Sequence, residues 1–298
     1  MPTVAELLEQ GIRRLHTAGS ETPRLDAEVL LAHILGIDRT GILAHPEAPV
    51  GDGLAAQYVK ALDRRETGEP VAYVRGVKEF HSLAFATDAR ALIPRPETEL
   101  LVDLAVAEVA RRLLAAPRPI GIAPLRIVDV GTGGGAVIVT LAVLLDRLGM
   151  LGEVDLMATD ADAAALDLAR ENAVGHGMGD RIRFELADLL PGELPGRWDL
   201  ILANLPYVRT DAIAGLPPAA AFEPRQALDG GSDGLVTIGR LLDLLPDSLD
   251  REGIALIEIG ADQADAMDVA VADRLRGWSC AIEPDLAGLP RVARVMPP

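Results

Sequence analysis

The first part of the chain is patterned as helix. Val4, Leu7, Leu8, Ile12 and Leu15 recur at the three-to-four spacing of one helix face and stop at Gly19. Leu25, Val29, Leu30 and Ile34 repeat the pattern up to Gly36, and a third amphipathic stretch covers 54–65. No polar constellation stands out here, so residues 1–69 are expected to form a helical bundle that packs and recognises. From 70 the period changes. Tyr73, Val74, Phe80, Leu83 and Phe85 suggest a short β-hairpin, which makes 70–96 a linker. Pro94 and Pro96 stiffen the entry to the next segment, where Thr98 or the turn before it is placed to cap a helix over 100–114. A Pro- and Ala-rich loop is expected over 115–124.

From 125 onward apolar runs alternate with helical periods. Strands are expected over 126–130, 154–159, 182–186, 200–203 and 254–259, with helices over 136–148, 163–174, 235–249 and 261–275. A last pair, 279–283 and 292–295, suits an antiparallel edge. Strict alternation implies an α/β, doubly wound, Rossmann-like sheet over residues 97–298. Ligands of such sheets bind outside the carboxyl ends of the strands, where strand order reverses.

Composition narrows the function. With 298 residues and 49% hydrophobic content the chain has room for two packed domains. The net charge of −17 and the absence of any Lys/Arg run disfavour direct nucleic-acid binding, which is led by phosphate neutralisation. Cys280 is the only cysteine, so neither an internal disulfide nor a cysteine-rich metal site is expected. The five histidines are scattered, and no metal is expected. No apolar stretch is long enough to cross a bilayer. The first 19 residues carry Glu6, Glu9, Arg13 and Arg14 where a signal peptide has its apolar centre, so a cytoplasmic location is expected. Without a long exposed apolar heptad, a monomer is expected.

Two places carry candidate chemistry. After the first strand comes Asp129-Val130-Gly131-Thr132-Gly133-Gly134-Gly135-Ala136. Such a loop lets backbone approach a ligand closely, and the helix behind it offers free N–H groups. The second strand ends at Asp160, placed to accept both ribose hydroxyls of a nucleoside. The third ends at Asp188-Leu189, where the carboxylate could bond an adenine amino group and the leucine cover its ring. For two residues a structural role competes: Asp162 as a helix N-cap, and Asp129 as an acceptor for loop amides. The second place is Asn204-Leu205-Pro206-Tyr207, at the end of an apolar run through Asp199-Leu200-Ile201-Leu202. Pro206 stiffens this strand end. Asn204 Oδ1 and the Leu205 carbonyl can accept both protons of a planar NH2 group while Tyr207 covers its face. The glycine loop alone suits a nicotinamide dinucleotide or S-adenosylmethionine. Asp188 and the tetrapeptide favour S-adenosylmethionine.

Asp129-x-Gly131-x-Gly133 with Asp160 resembles class I methyltransferases, and Asn204-x-Pro206-Tyr207 resembles enzymes that methylate planar amino or amide nitrogens. The chain is most similar in pattern to the HemK/PrmC family, the release factor glutamine methyltransferases. The resemblance rests on Ile93-Pro94-Arg95-Pro96-Glu97-Thr98-Glu99, on the spacing of Arg65, Pro70, Tyr73, Gly76 and Phe80, and on Glu223-Pro224-Arg225 with Ala227 to Gly231 and Asp233-Gly234-Leu235. Glu258-Ile259-Gly260 with Gln263, and Asp285 to Gly288 with Arg291, extend it to about residue 294. It implies S-adenosylmethionine as cofactor, held by Gly131, Thr132, Gly133, Gly134, Gly135, Asp160, Asp188, Leu189 and Asn204. It also implies a substrate, the glutamine of the Gly-Gly-Gln loop in class I peptide chain release factors, gripped by Asn204, Leu205, Pro206 and Tyr207, with the helical domain helping to hold that protein. Two positions depart from the family: it usually has Pro where this chain has Leu205, and often a large aromatic near Leu189. Asn-Leu-Pro-Tyr is typical of enzymes that dimethylate ribosomal RNA adenines. An adenine methyltransferase, a methyltransferase of a ribosomal-protein glutamine, a non-catalytic binding module and a nicotinamide-dependent oxidoreductase are therefore the competing readings.

Overall fold

The structure, a computed structural model, describes residues 1–114, 123–192 and 196–298. All but the last two residues of the loop expected over 115–124 fall outside the described residues. The chain divides into two compact units. One comprises Met1–Lys78, Thr87–Ala89 and Leu216–Phe222, and the other Glu79–Ala86, Arg90–Gly215 and Glu223–Pro298. These units do not follow the boundaries at 69 and 96 read from the sequence: the first runs on to Lys78 and takes in a short stretch from the loop after residue 215.

The first unit contains α1 (Val4–Thr17), α2 (Pro23–Leu35), α3 (Arg39–Ala44), α4 (Asp52–Glu66) and α5 (Val71–Arg75). α1 opens with a reciprocal capping box between Thr3 and Glu6. α2 starts on Pro23 and stops at Gly36. Leu7, Leu15, Leu30, Leu31, Tyr58 and Leu62 form its core. Two elements differ from expectation. α3, capped by the Asp38 carboxylate, is too short to give a periodic signal. Tyr73 and Val74 were expected in the hairpin but lie in α5, where the Val74 N–H bonds the Pro70 carbonyl and Gly76 ends the turn.

β1 (Val77–Phe80) and β2 (Leu83–Ala86) form the hairpin, and the boundary between the units falls within β1. His81 and Ser82 at its tip both have positive φ, 50° and 60°, the requirement of the tight turn that matches strand twist. Then come α6 (Glu99–Leu114), β3 (Leu125–Val130), α7 (Ala136–Arg147), β4 (Val154–Asp160), α8 (Ala163–Gly175), β5 (Ile182–Leu186) and β6 (Trp198–Ala203). α9 (Val236–Ser248), β7 (Leu249–Glu258), α10 (Ala264–Arg274), β8 (Ser279–Pro284) and β9 (Pro290–Met296) complete the chain. The sheet order is β5-β4-β3-β6-β7-β9-β8. Its first five strands are parallel, and β9 and β8 close the edge antiparallel, as expected.

Both faces of the sheet are covered, which is why its strands read as continuous apolar runs. Ile127, Leu200 and Leu256 face α6 and α7, while Val128, Ile201 and Ile257 face α9 and α10. β7 starts five residues earlier than expected. Leu249 pairs with Trp198, then the register shifts before Leu200 meets Ile254. α10 starts three residues later, because the Gln263 side chain accepts the Gly260 N–H and holds 260–263 as a turn. No helix among the described residues is long and apolar enough to cross a membrane. Strand order reverses beside β3, between β4 and β6. The glycine loop after β3 and the tetrapeptide after β6 therefore emerge side by side at the carboxyl end of the sheet.

Candidate active site

A cavity of about 340 Å³ opens there, within the range of small-ligand pockets. Its walls include Gly131, Thr132, Gly133, Gly134, Asp160, Asp188, Leu189, Asn204, Leu205 and Pro206. Of the residues expected in the site, Gly135 and Tyr207 stand outside its lining.

The glycine loop is fixed from beneath. Asp129, fully buried, accepts from the Thr132 hydroxyl at 2.6 Å and from the Ile138 N–H. Its carboxyl thus serves the start of α7 through a hydroxyl and a helix amide, where a role as acceptor for loop amides was expected. Burial pushes Asp129 up to about 7, and the nearby Asp160 carboxyl adds to the rise. Asn172 of α8 donates to the Gly134 and Ala86 carbonyls and accepts the Ala86 N–H, which ties loop, helix and hairpin together. Gly131 has φ +69°, and a Cβ there would lie 2.8 Å from Leu205 Cδ2. The space that a side chain at 131 would need is already filled by Leu205, which is 4% exposed.

Asp160 ends β4 half-buried. One carboxylate oxygen accepts the Gly133 N–H at 2.8 Å and the other the Asp162 N–H at 2.9 Å. Asp160 lines the cavity. Burial raises its pKa, against the hydrogen bonds from these amides. Asp162 caps α8 through the Ala164 N–H and also receives Gln226 Nε2 at 2.6 Å. That contact brings Gln226, Pro224 and Ala227 of the loop after β6 to the rim of the cavity. Asp188 lies at the cavity wall with a mostly exposed side chain, one oxygen of which pairs with Arg240 at 2.7 Å. Leu189 is buried with φ +71°, and its carbonyl is held by the Thr159 hydroxyl.

The tetrapeptide is gripped by residues that the sequence did not single out for this. Asn204 Nδ2 donates to Thr98 Oγ1 at 3.0 Å. Among the described residues, no hydrogen bond claims Asn204 Oδ1 or the Leu205 carbonyl. The Tyr207 hydroxyl faces Glu258 Oε1 at 3.4 Å, and its carbonyl accepts from Gln263 Nε2. Gly230 lies so close to this backbone that a Cβ would stand 2.7 Å from the Pro206 carbonyl. Glu223, almost fully buried, accepts the Ile93 N–H and pairs with Arg95 at 2.6 Å. Of the two starts expected for this helix, Thr98 or the turn before it, the structure has the turn: a short 3-10 turn, Pro96–Thr98, runs straight into α6 and leaves the Thr98 hydroxyl to Asn204.

The donor set fits S-adenosylmethionine. Free N–H groups at the start of α7 suit a carboxylate, Asp160 suits vicinal hydroxyls, and Leu189, Leu205 and Pro224 offer apolar surface for a base. The lining carries Asp129, Asp160, Asp162 and Asp188 against Arg90 and Arg240, a balance that suits a cationic ligand better than a pyrophosphate.

Fold and site together define a class I, S-adenosylmethionine-dependent methyltransferase. The PrmC N-terminal domain family model matches residues 6–76. The chain is 38% identical over 265 residues to the release factor glutamine methyltransferase of Moorella thermoacetica, covering 89% of this chain and 88% of that one. It is 35% identical to the protein of the same name from Deinococcus radiodurans, covering 97% and 96%. Among solved structures, the hMettl16 catalytic domain in complex with MAT2A 3'UTR hairpin 1 has the same fold, at TM-score 0.51 and 14% identity, over 85% of this chain and 83% of that one. The chain belongs to the release factor glutamine methyltransferase family.

Proposed function

We propose that this protein transfers a methyl group from S-adenosylmethionine to the side-chain amide nitrogen of the glutamine in the Gly-Gly-Gln loop of class I release factors. The observation that supports this best is the meeting, in one cavity, of a nucleoside-binding loop and a strand end with two unclaimed acceptors, Asn204 Oδ1 and the Leu205 carbonyl. When bound, S-adenosylmethionine supplies an electrophilic methyl group on a positively charged sulfur. Gly131 to Gly134, Asp160, Asp188, Leu189 and Asn204 would hold it, with Gly135 behind the loop as the N-cap of α7.

An amide nitrogen is a poor nucleophile because its lone pair is delocalised into the carbonyl. Asn204 Oδ1 and the Leu205 carbonyl take its two N–H bonds, favour charge build-up on nitrogen and fix its direction. Positioning and preorganised dipoles supply most of the acceleration. The nitrogen would take the methyl group as the sulfur keeps the electron pair of the broken bond and leaves as a neutral thioether, and the N-methylated amide would then give up one proton readily, without a strong base. Pro206 and the half-buried Tyr207 keep the acceptors in place; burial of its hydroxyl end pushes the Tyr207 hydroxyl up to about 12, so it stays protonated.

Residues 1–69 help hold the release factor and 70–96 link them to the methyltransferase domain. The net charge of −17 suits a protein substrate rather than nucleic acid. The enzyme acts as a monomer in the cytoplasm, where translation takes place. Asn204→Ala is expected to lower methyl transfer by roughly 10²–10³ while the fold is retained, the usual cost of losing one such dipolar contact. Wild-type turnover in that variant contradicts the role given to Asn204.

A further inference from the structure

One buried carboxylate beside the tetrapeptide takes no part in the chemistry above. Glu258 ends β7 with 0% exposure, and its Oε2 has no hydrogen-bond partner among the described residues. Four groups face it. The Thr98 and Tyr207 hydroxyls and the Arg291 guanidinium favour its ionised form, while Glu97 opposes it. Burial outweighs them and pushes the carboxyl up to about 7. Thr98, 4% exposed, sits between Glu258 and Asn204 and accepts the Asn204 Nδ2 proton.

An asparagine amide has two orientations of nearly the same shape and opposite polarity. One turns Oδ1 toward the substrate NH2 and accepts from it. The other turns Nδ2 there and sets donor against donor. A threonine hydroxyl cannot choose between them, because it both donates and accepts. A carboxylate can only accept. The unpartnered Oε2 of ionised Glu258 attracts the Thr98 hydroxyl hydrogen, which leaves Thr98 only lone pairs for Asn204, so that Asn204 has to present Nδ2 to Thr98 and Oδ1 to the cavity.

We infer that Thr98 and Glu258 are positioning residues that lock the Asn204 amide with Oδ1 toward the substrate. The lock rests on the role proposed for Asn204. It joins Ile93-Pro94-Arg95-Pro96-Glu97-Thr98 to the end of β7, two stretches about 160 residues apart in the chain. Protonation of Glu258 releases the Thr98 hydroxyl proton toward Asn204 and lets the amide turn. Tyr207, Arg291 and Glu97 set where that happens, and Arg95 acts on Tyr207.

The test uses the full chain and two readouts. First, methyl transfer to a purified release factor is measured at saturating S-adenosylmethionine, from below to above pH 7, with Thr98→Val, Thr98→Ser and Glu258→Gln. Thr98→Val should lower kcat about tenfold, the value of one well-made hydrogen bond, with KM for the release factor within about twofold. Thr98→Ser should recover to within about threefold, because the hydroxyl returns. Wild-type kcat should fall as pH drops through about 7, and Glu258→Gln should abolish that inflection. Unchanged kcat in Thr98→Val, equal loss in Thr98→Ser, or an inflection that survives in Glu258→Gln (as Asp129 would give) each overturns the inference.

The second readout needs no substrate. The side-chain NH2 resonances of Asn204 in isotope-labelled protein, identified by their loss in Asn204→Ala, should titrate near pH 7 in wild type and not in Glu258→Gln. Absence of that titration overturns the lock. Absence of wild-type methyl transfer with the titration present overturns the substrate assignment alone.

Discussion

Leu205 replaces the proline usual in the family, and its packing makes a quantitative prediction. Its side chain is 4% exposed and its Cδ2 would meet a Cβ at Gly131 at 2.8 Å, where ordinary contact begins near 3.4 Å. Gly131→Ala therefore carries two costs. Holding an alanine at φ +69° costs about 1–2 kcal/mol. Forcing its methyl against Leu205 costs about 1–3 kcal/mol as overpacking. Leu205→Ala alone should cost about 2–5 kcal/mol, as for other buried leucines. In the double variant the new methyl enters the space that Leu205 vacates, so the overpacking cost disappears. The combined destabilisation should fall short of the sum by about 1–3 kcal/mol, the range of coupling between contacting residues. Urea unfolding followed by tryptophan fluorescence measures this in the right unit, since Trp198 and Trp278, the two tryptophans of the chain, both lie in the second. Additivity within about 0.5 kcal/mol would show that Leu205 does not support the glycine loop, and its departure from proline would need another explanation.

Three further outcomes are expected. Glu258 has a folded value of about 7, above its ordinary 4.5, so the folded protein binds this proton more tightly than the unfolded chain. That contribution to stability is complete below about pH 4.5 and is lost as pH rises through about 7, so Glu258→Gln should gain on wild type between pH 5 and 8, by about 2–4 °C in Tm or more; a constant Tm difference contradicts this. Arg240 holds Asp188 in a mostly exposed pair worth about 0.2–1 kcal/mol, so Arg240→Ala should free Asp188 for the base and tighten S-adenosylmethionine binding by up to about fivefold in calorimetry, and weakened binding would show that Arg240 itself serves the cofactor. Glu223→Ala strands the buried Ile93 N–H, and should cost about 1–3 kcal/mol in unfolding and raise KM for S-adenosylmethionine as the loop bearing Pro224 and Gln226 loosens; wild-type values for both contradict its role.

What the sequence made legible is local. The glycine loop, Asp160 at a strand end and the Asn204 tetrapeptide are contiguous, and the alternation that places them in a parallel sheet is a short-range signal. The supporting groups are of another kind. Thr98 meets Asn204 across 106 residues, and Glu223 reaches Ile93 across 130, distances over which no periodicity carries information. Glu258 lies in a stretch that resembles the family, yet nothing in Glu258-Ile259-Gly260 tells an exposed strand-end carboxylate from one at 0% exposure. Asp188 at its strand end is legible in the same way, but its pairing with Arg240 on α9 is not, since 52 residues separate them. Tyr73 and Val74 favour strands by residue type, but Pro70 and Gly76 bracket them into a single helical turn. Leu205 was a departure in the sequence; in the fold it is a packing partner of Gly131.

The most direct measurement is peptide mass mapping of purified class I release factor after incubation with the protein and labelled S-adenosylmethionine. One added methyl on the glutamine of the Gly-Gly-Gln loop, absent when that glutamine is alanine and strongly reduced with Asn204→Ala, is the predicted result. Label on ribosomal RNA or a ribosomal protein, with an unmodified release factor, would contradict it.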